Sequence, residues 1–285
     1  MIRAAGPVDC GLIEAFSLAH IDISMFLITN LRNHGLAADG FASDHINASR
    51  IWVVGPGVAG VVAVTRRGMV MATLPDGGDL RGLEAALAGS VIGGAVGEAV
   101  AARQVLAALG LAGQPVRRDA DEPGFALYLT DLQVPDTAGM QLIRAEPPYR
   151  DLLVAWRSAY CREVMGAGVE DALVTAKRDI ETYIAAGSHR VLLRGDVPVA
   201  MTGFNAALPE IVQIGGVYVP PALRKQGLAR RAVALHLLEA RMRGVSRAVL
   251  FAANDAAARA YRAIGFQRKG TMALVLFEAD HRISA

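Results

Sequence analysis

The chain lacks most of the features that would commit it to a special environment. Its two cysteines, Cys10 and Cys161, stand far apart with no Cys or His at metal-ligand spacing, so neither a disulfide framework nor a zinc site is expected. Charge of one sign is missing as well. The 29 Lys and Arg against 27 Asp and Glu leave a formal charge of +2, so no global field draws in nucleic acid or an anionic membrane. The longest uncharged run of the hydrophobic first half, Ile51 to Thr65, has fifteen residues and is broken by Gly55, Pro56, Gly57 and Gly60. A membrane helix needs roughly 18. The opening residues contain no cationic segment leading into an apolar core, so a reducing cytoplasm is the expected location. The six histidines, His189 among them, fall at no ligand spacing, and none is nominated for a site.

What is present is 53% hydrophobic and 20% charged residues over 285 positions, a globular composition long enough for two domains. Pro135-Asp136-Thr137-Ala138-Gly139 marks the expected seam, giving domains 1–136 and 137–285. In the first, helical spacing over 11–36 precedes strands at 50–54, 58–65 and 69–74. A helix at 79–88, a short strand at 91–93 and a helix at 98–109 follow, then a polar segment at 113–123 and a strand at 125–134. The second half repeats this order, with helices at 149–164 and 169–186 and strands at 190–194 and 199–205. Arg50 to Gly55 lines up with Arg190 to Gly195, and Ala101-Ala102-Arg103 with Ala257-Ala258-Arg259. A degenerate internal duplication follows.

Gly55-Pro56-Gly57-Val58-Ala59-Gly60 satisfies the dinucleotide pattern G-x-G-x-x-G. That pattern has to open a helix, and Val58 to Val64 is instead rich in β-branched residues. The stretch reads as a hairpin turn, not as a nicotinamide or flavin site.

The strongest signal runs from Gly216 to Arg231. A strand over 211–219 is ended by Pro220 and Pro221, and Leu228, Ala232, Leu235, Leu238 and Met242 then mark one face of a helix. A loop entering a helix offers backbone N–H groups without intrahelical partners, at the positive end of the helix dipole. Gly227 and Ala229 let an anion reach the backbone, while Arg224, Lys225 and Arg230 supply charge around it. Taken alone, the loop reads equally well as a solvated basic helix start. Downstream, a strand at 248–252 leads to a helix capped by Asn254 or Asp255, carrying Tyr261 and ended by Gly265.

Arg224-Lys225-Gln226-Gly227-Leu228-Ala229 resembles the [Q/R]-x-x-G-x-[G/A] loop of the GNAT superfamily of N-acetyltransferases. Asn254, Ala257, Tyr261 and Gly265-Phe266 resemble its second signature, N-x-x-A-x-x-x-Y-x-x-x-G-F. The resemblance covers about residues 140–280. It implies an α/β fold of tandem GNAT-like domains, each a mixed, mostly antiparallel twisted sheet flanked by helices and splayed to hold acetyl-coenzyme A. It further implies that the backbone of Val217 and Val219, with Tyr218 between them, meets the pantetheine arm. The amides of Lys225, Gln226, Gly227, Leu228, Ala229 and Arg230 would hold the pyrophosphate, and Asn254 would lie beside the arm.

Tyr261 would stand near the thioester sulfur. Its hydroxyl, with a pKa of about 10, stays protonated at neutral pH and can donate to the departing sulfur. The base is open between Glu210 through a water relay and capture of an already neutral amine, since Gln213 cannot accept a proton. No metal is implied. The acceptor is a small-molecule or protein amine, with neither nucleic acid nor membrane as partner and no oligomeric state legible. A coenzyme-binding sensor that has lost turnover is the alternative. Leu106 falls where Tyr261 stands and no phosphate loop lies between Met69 and Leu87. The first copy is therefore expected to be catalytically silent, either shaping the acceptor pocket or serving as a structural duplicate.

Overall fold

The computed structural model describes residues 1–284. Its contacts group into two compact units, Met1–Glu122 with residues from Thr271 onward, and Pro123–Gly270. The amino-terminal unit runs β1 (Ile2–Ala4), α1 (Cys10–Ala19), α2 (Ile21–His34), β2 (Ser49–Val54), β3 (Gly60–Thr65), β4 (Met69–Thr73), α3 (Leu83–Ala86), β5 (Val91–Glu98), α4 (Ala99–Ala108) and the first part of β6 (Val116–Tyr128). The carboxy-terminal unit takes the end of β6, then β7 (Met140–Arg144), α5 (Arg150–Met165), α6 (Val169–Ala186), β8 (His189–Arg194), β9 (Val197–Ala207) and β10 (Ile211–Tyr218). It continues with α7 (Leu228–Met242), β11 (Arg247–Phe251), α8 (Asp255–Arg262) and the start of β12 (Gln267–Arg282).

Strand order is β1-β2-β3-β4-β5-β12 in the first unit and β7-β8-β9-β10-β11-β6 in the second. The two orders correspond strand for strand, and the helices fall in the same intervals, so the duplication legible in the sequence is a duplication of fold. The linear division at 136/137 is not the division of these units. Residues 123–136 group with the carboxy-terminal unit and residues from 271 onward with the amino-terminal one, because each sheet receives its sixth strand from the distal part of the other half.

Gly55 (φ 82) and Gly57 (φ 64) form the turn between antiparallel β2 and β3, so the glycine-rich stretch is a hairpin and opens no helix. β2 is buried on both faces by its period of two. Trp52 and Val54 join the cluster containing Leu83 and Val105, while Ile51 and Val53 join Ile13 and Leu27.

Three expectations need correction. The helix expected over 79–88 contracts to Leu83–Ala86, the polar segment 113–123 is mostly strand, and 129–134 is not strand. Strands β1 and β7 were not anticipated at all. The polar start of β6 is pinned by Arg103 of α4, which holds Asp119 at 2.7 Å and Asp121 at 2.6 Å. These are same-side residues two apart, as a strand requires.

In the carboxy-terminal unit α5 and α6 pack on one face, where Val191, Leu193, Met201 and Tyr218 meet Leu153, Trp156 and Ile180. Helices α7 and α8 cover the other, where Val212 and Ile214 meet Val233, Leu237 and Tyr261. Leu237 is fully buried, which by area contributes about 1.5–3 kcal/mol.

Candidate active site in the carboxy-terminal unit

Strands β10 and β11 run parallel, and their pairing covers only Ile211–Gln213 against Arg247–Val249. β10 continues to Tyr218 and β11 to Phe251, so the two part after Gln213 and leave a fork. On its other edge β10 pairs with β9 through two register shifts, and Gly216 (φ 62) lies in the second. Val217, Tyr218 and Val219 form the far end of the fork, with the Tyr218 ring buried against α5.

Beyond Val219 a 3-10 turn at Pro221–Leu223 leads to Arg224 in an extended conformation, and Gly227 (φ 72) then precedes α7. Lys225, at φ 65, is the only non-glycine residue with positive φ among the described residues. A left-handed lysine costs about 1–2 kcal/mol. Such strain points to function when it is observed rather than assumed. Left-handed residues at 225 and 227, followed by the first amides of a fifteen-residue helix, make a concave set of N–H donors of the kind that binds anions.

The side chains around the loop are only partly as expected. Arg230 approaches Gly227 and its Nε is buried with no hydrogen-bond partner among the described residues. Lys225 is exposed. Arg231, which the sequence reading left unassigned, donates from Nε to the Asp136 carbonyl at 2.7 Å and from Nη1 to the Gln226 carbonyl at 2.8 Å. Arg194 donates to Gln226 Oε1 at 2.9 Å, so Gln226 is a fixed corner of the loop. Arg224 departs from expectation. Its guanidinium does not face the loop amides but donates to Glu163 at 2.5 Å and to the Val219 carbonyl at 3.0 Å. Tyr218 donates its hydroxyl to the same Glu163 at 3.2 Å, and its phenol is shifted upward by burial and then by Glu163. Only the three-dimensional packing of α5 reveals Glu163, because no sequence pattern joins positions 61 residues apart.

Asn254 caps α8, its side-chain oxygen accepting from Ala257 N–H at 2.9 Å. Tyr261 lies on the α7/α8 face in one cluster with Ile214 and Leu250, the residues just past the fork on each strand. Its ring stands edge-on to Phe266 at 6.0 Å and is 6% exposed. Glu210 is exposed at the closed end of the fork, and its carbonyl accepts from Ser246 and Arg247 amides at 3.0 and 3.1 Å. It sits three residues before the strands part, about 10 Å along β10. Gln213 occupies the vertex, buried, with Oε1 lacking a hydrogen-bond partner among the described residues. Trp156 and Cys161 are buried core residues.

Comparison with known proteins places this geometry. Residues 149–266 match the model of the acetyltransferase (GNAT) family. No functionally curated protein matches the chain in sequence. Among solved structures, a GCN5-related N-acetyltransferase from Kribbella flavida is similar at TM-score 0.56 and 18% identity, over 92% of this chain and 95% of that one. A tandem GNAT protein from the clavulanic acid biosynthesis pathway is similar at TM-score 0.56 and 15% identity, over 100% of this chain and 99% of that one. A Drosophila protein reaches TM-score 0.61 at 14% identity, over 96% and 98% of the two chains. At these identities the likeness is one of fold, and the two-unit plan is shared over the whole chain.

Proposed function

We propose that this chain, whose residues 149–266 form a GNAT-family acetyltransferase domain, moves an acetyl group from acetyl-coenzyme A to an amine at the fork between β10 and β11. The observation that carries the proposal is the pair of left-handed residues Lys225 and Gly227 ahead of α7, at the end of a strand that has left its parallel neighbour. The amides of Lys225 to Arg230 hold the pyrophosphate, with Arg230 as the nearby charge. The backbone of Val217 and Val219 meets the pantetheine arm, and Asn254, held as the cap of α8, borders it.

In the reaction the amine nitrogen bonds to the acyl carbon and the carbon–sulfur bond breaks. An amine that enters uncharged releases one proton, and the departing thiolate takes one, so the step balances without an added base. Tyr261 donates to sulfur and is reprotonated from the amine side through solvent. Glu210 lies too far along β10 to take the amine proton directly, and we assign the base to no side chain.

A second reading, a coenzyme-binding protein without turnover, is favoured by the deep burial of Tyr261 against Phe266. Calorimetric titration with coenzyme A, followed by thiol release from acetyl-coenzyme A over a panel of amines, separates the two. Binding with amine-dependent thiol release supports the transferase, whereas binding without release supports the second reading. Absence of binding removes both.

A further inference from the structure

On the α5/α6 face, β8, β9 and β10 present a row in which His189 pairs with Gly203 and Gly203 with Gly215. The glycines make room for the imidazole. A Cβ at Gly203 would collide with the ring, and one at Gly216 would lie 2.8 Å from its Nε2. The ring therefore lies across β9 with its Nε2 edge against the bulge of β10, just past the fork. It is held there by stacking on Tyr183 at 3.5 Å and 9° and by Ser188 Oγ, 2.9 Å from Nδ1.

Nε2 itself is buried and has no partner among the described residues. The exposed Asn205 amide covers Gly215. Gln213, two residues earlier on the same face and so about 7 Å along the strand, offers the second buried polar atom without a partner. A buried polar atom left without a hydrogen bond costs about 1–3 kcal/mol. Two of them beside one strand bulge mark a place where a ligand supplies the missing bonds.

Charged groups near this spot lie on both faces of the sheet. Arg157 of α5 donates twice to Asp179 of α6, at 3.0 and 2.7 Å. Arg190 of β8 pairs with Glu239 of α7 at 2.8 Å, and His236 of α7 is buried against Phe204 on the opposite face. Glu163 of α5, near the far end of β10, is engaged by Arg224 and Tyr218, and β9 contributes no ionisable group. Among the described residues no uncommitted carboxylate faces Nε2. Burial, followed by Arg157 and Arg190, pushes the His189 imidazole down to about 3. An ammonium placed against the same edge meets the same desolvation and the same two cations.

We propose that the acceptor nitrogen is received against the Gly215–Gly216 bulge as an uncharged amine, by the neutral polar groups of His189, Asn205 and Gln213. The chain is thereby selective for weakly basic amines, of the aromatic amine or hydrazine type, over lysine-type alkylamines. This rests on the acyl transfer proposed above. At pH 7 only on the order of one lysine-type amine in 10³ is uncharged, whereas an aromatic amine is almost wholly so.

The test uses the full chain with acetyl-coenzyme A and reads kcat/KM by thiol release against pH, for an aromatic amine, an amino-acid amide and a simple alkylamine. The expected result is that each profile rises to a plateau at the pKa of its own amine. At pH 7 the aromatic amine should lead the alkylamine by at least about tenfold. One inflection common to all three amines, or preference for the alkylamine at pH 7, overturns the inference while leaving acyl transfer standing. No thiol release with any amine removes both.

Gln213→Glu adds the carboxylate the spot lacks. It should raise the alkylamine's kcat/KM relative to the aromatic amine's by at least about fivefold and add an inflection independent of the amine. A Gln213→Glu protein that keeps its coenzyme affinity and shows neither change argues against the assignment, and His189→Gln should flatten the preference between amines.

Discussion

The two units share strand order, helix placement and even a left-handed glycine before the helix that follows the fourth strand, Gly82 at φ 82 and Gly227 at φ 72. They differ in what surrounds that glycine. In the carboxy-terminal unit it stands among Arg224, Lys225, Arg230 and Arg231 and opens a fifteen-residue helix. In the amino-terminal unit the helix has four residues, and the loop before it carries Asp76 and Asp79, the latter held by Arg81 at 2.6 Å with its carboxyl well below the usual range. A four-residue helix sums little dipole, and carboxylates repel a diphosphate. The fork differs too. β4 and β5 pair at Met69 and Val70, but Gly97 (φ 157) keeps β5 close to Ala72, with the Ala72 carbonyl 3.6 Å from where a Cβ would stand. Topology survives in both copies because strand burial fixes it, while the chemistry depends on one loop and one helix turn. We therefore propose that the amino-terminal unit is catalytically silent.

The sharpest way to break that comparison is to make the same change in each copy. Gly227→Val puts a β-branched side chain 2.7 Å from Arg231 Nη1 and 3.0 Å from Arg230 Nε at a left-handed position, whereas a Cβ at Gly82 meets nothing within 4 Å. Each costs about 1–2 kcal/mol in backbone strain. Only Gly227→Val should lower coenzyme A affinity, by about 100-fold or more. Calorimetric titration beside thermal unfolding checks this, and equal affinities would erase the distinction.

The next contrast concerns the helix after the fifth strand. Tyr261→Phe should lower turnover at least about tenfold with coenzyme affinity nearly unchanged. Leu106, its counterpart, is 5% exposed in the amino-terminal core. Leu106→Ala should cost about 2–5 kcal/mol of stability and leave kcat unaltered in protein that remains folded. Unchanged turnover in Tyr261→Phe would make that ring a core residue only.

The loop was legible in the sequence because its signals are local, namely two prolines, a glycine and a helical stripe. So was the hairpin at Gly55, since β-branched residues after the glycines exclude a helix. The start of β6 was not, because Arg117, Arg118, Asp119 and Asp121 disfavour a strand locally, and the contacts that hold one, such as Arg103 reaching from α4 to Asp119 and Asp121, come from the fold. The exchange of strands between units leaves no trace in local pattern. His189 is not legible for a related reason. Its meaning comes from Gly203 and Gly216, which only the β8–β9–β10 register brings to the ring, and from Tyr183 of α6 stacked on it. Arg224 shows the reverse case, a motif position whose guanidinium is engaged by a helix far away in sequence.

Acid should also separate the units. His189, pushed down to about 3, and His236, pushed in the same direction by burial, are neutral in the native state, while unfolded histidines titrate near pH 6.5. Between those values the unfolded chain binds more protons, so this contribution is complete above about pH 6.5 and is lost as the solution is acidified toward about 3. In the amino-terminal unit His34 is lowered by burial too, but it is only half-buried, and Asp9 is lowered to about 2 by Arg3 and by the Gly6 amide. That contribution is intact above about pH 4 and is lost only as pH falls through about 2. Trp52 and Trp156 report one unit each. Fluorescence of Trp52→Phe protein should show loss of structure at a higher pH than that of Trp156→Phe protein, and the opposite order would refute this account.

The smallest expected effect tests whether α5 restrains the loop. Arg224 and Glu163 are 45% and 38% exposed at the side chain, and pairs so open to solvent are worth about 0–1 kcal/mol. Among the described residues no matching pair joins the short loop of the amino-terminal unit to α1 or α2, and Arg81 takes its carboxylate from Asp79 within the loop. Glu163→Gln keeps the shape and removes the charge, releasing the Arg224 guanidinium toward the loop amides and whatever anion they hold. Coenzyme A affinity should then rise, by no more than about fivefold, and the gain should shrink with added salt as the freed charge is screened. A fall in affinity would mean that Glu163 aligns Arg224 for binding rather than withholding it. The carboxy-terminal copy would then owe its activity to a helix as well as to its loop.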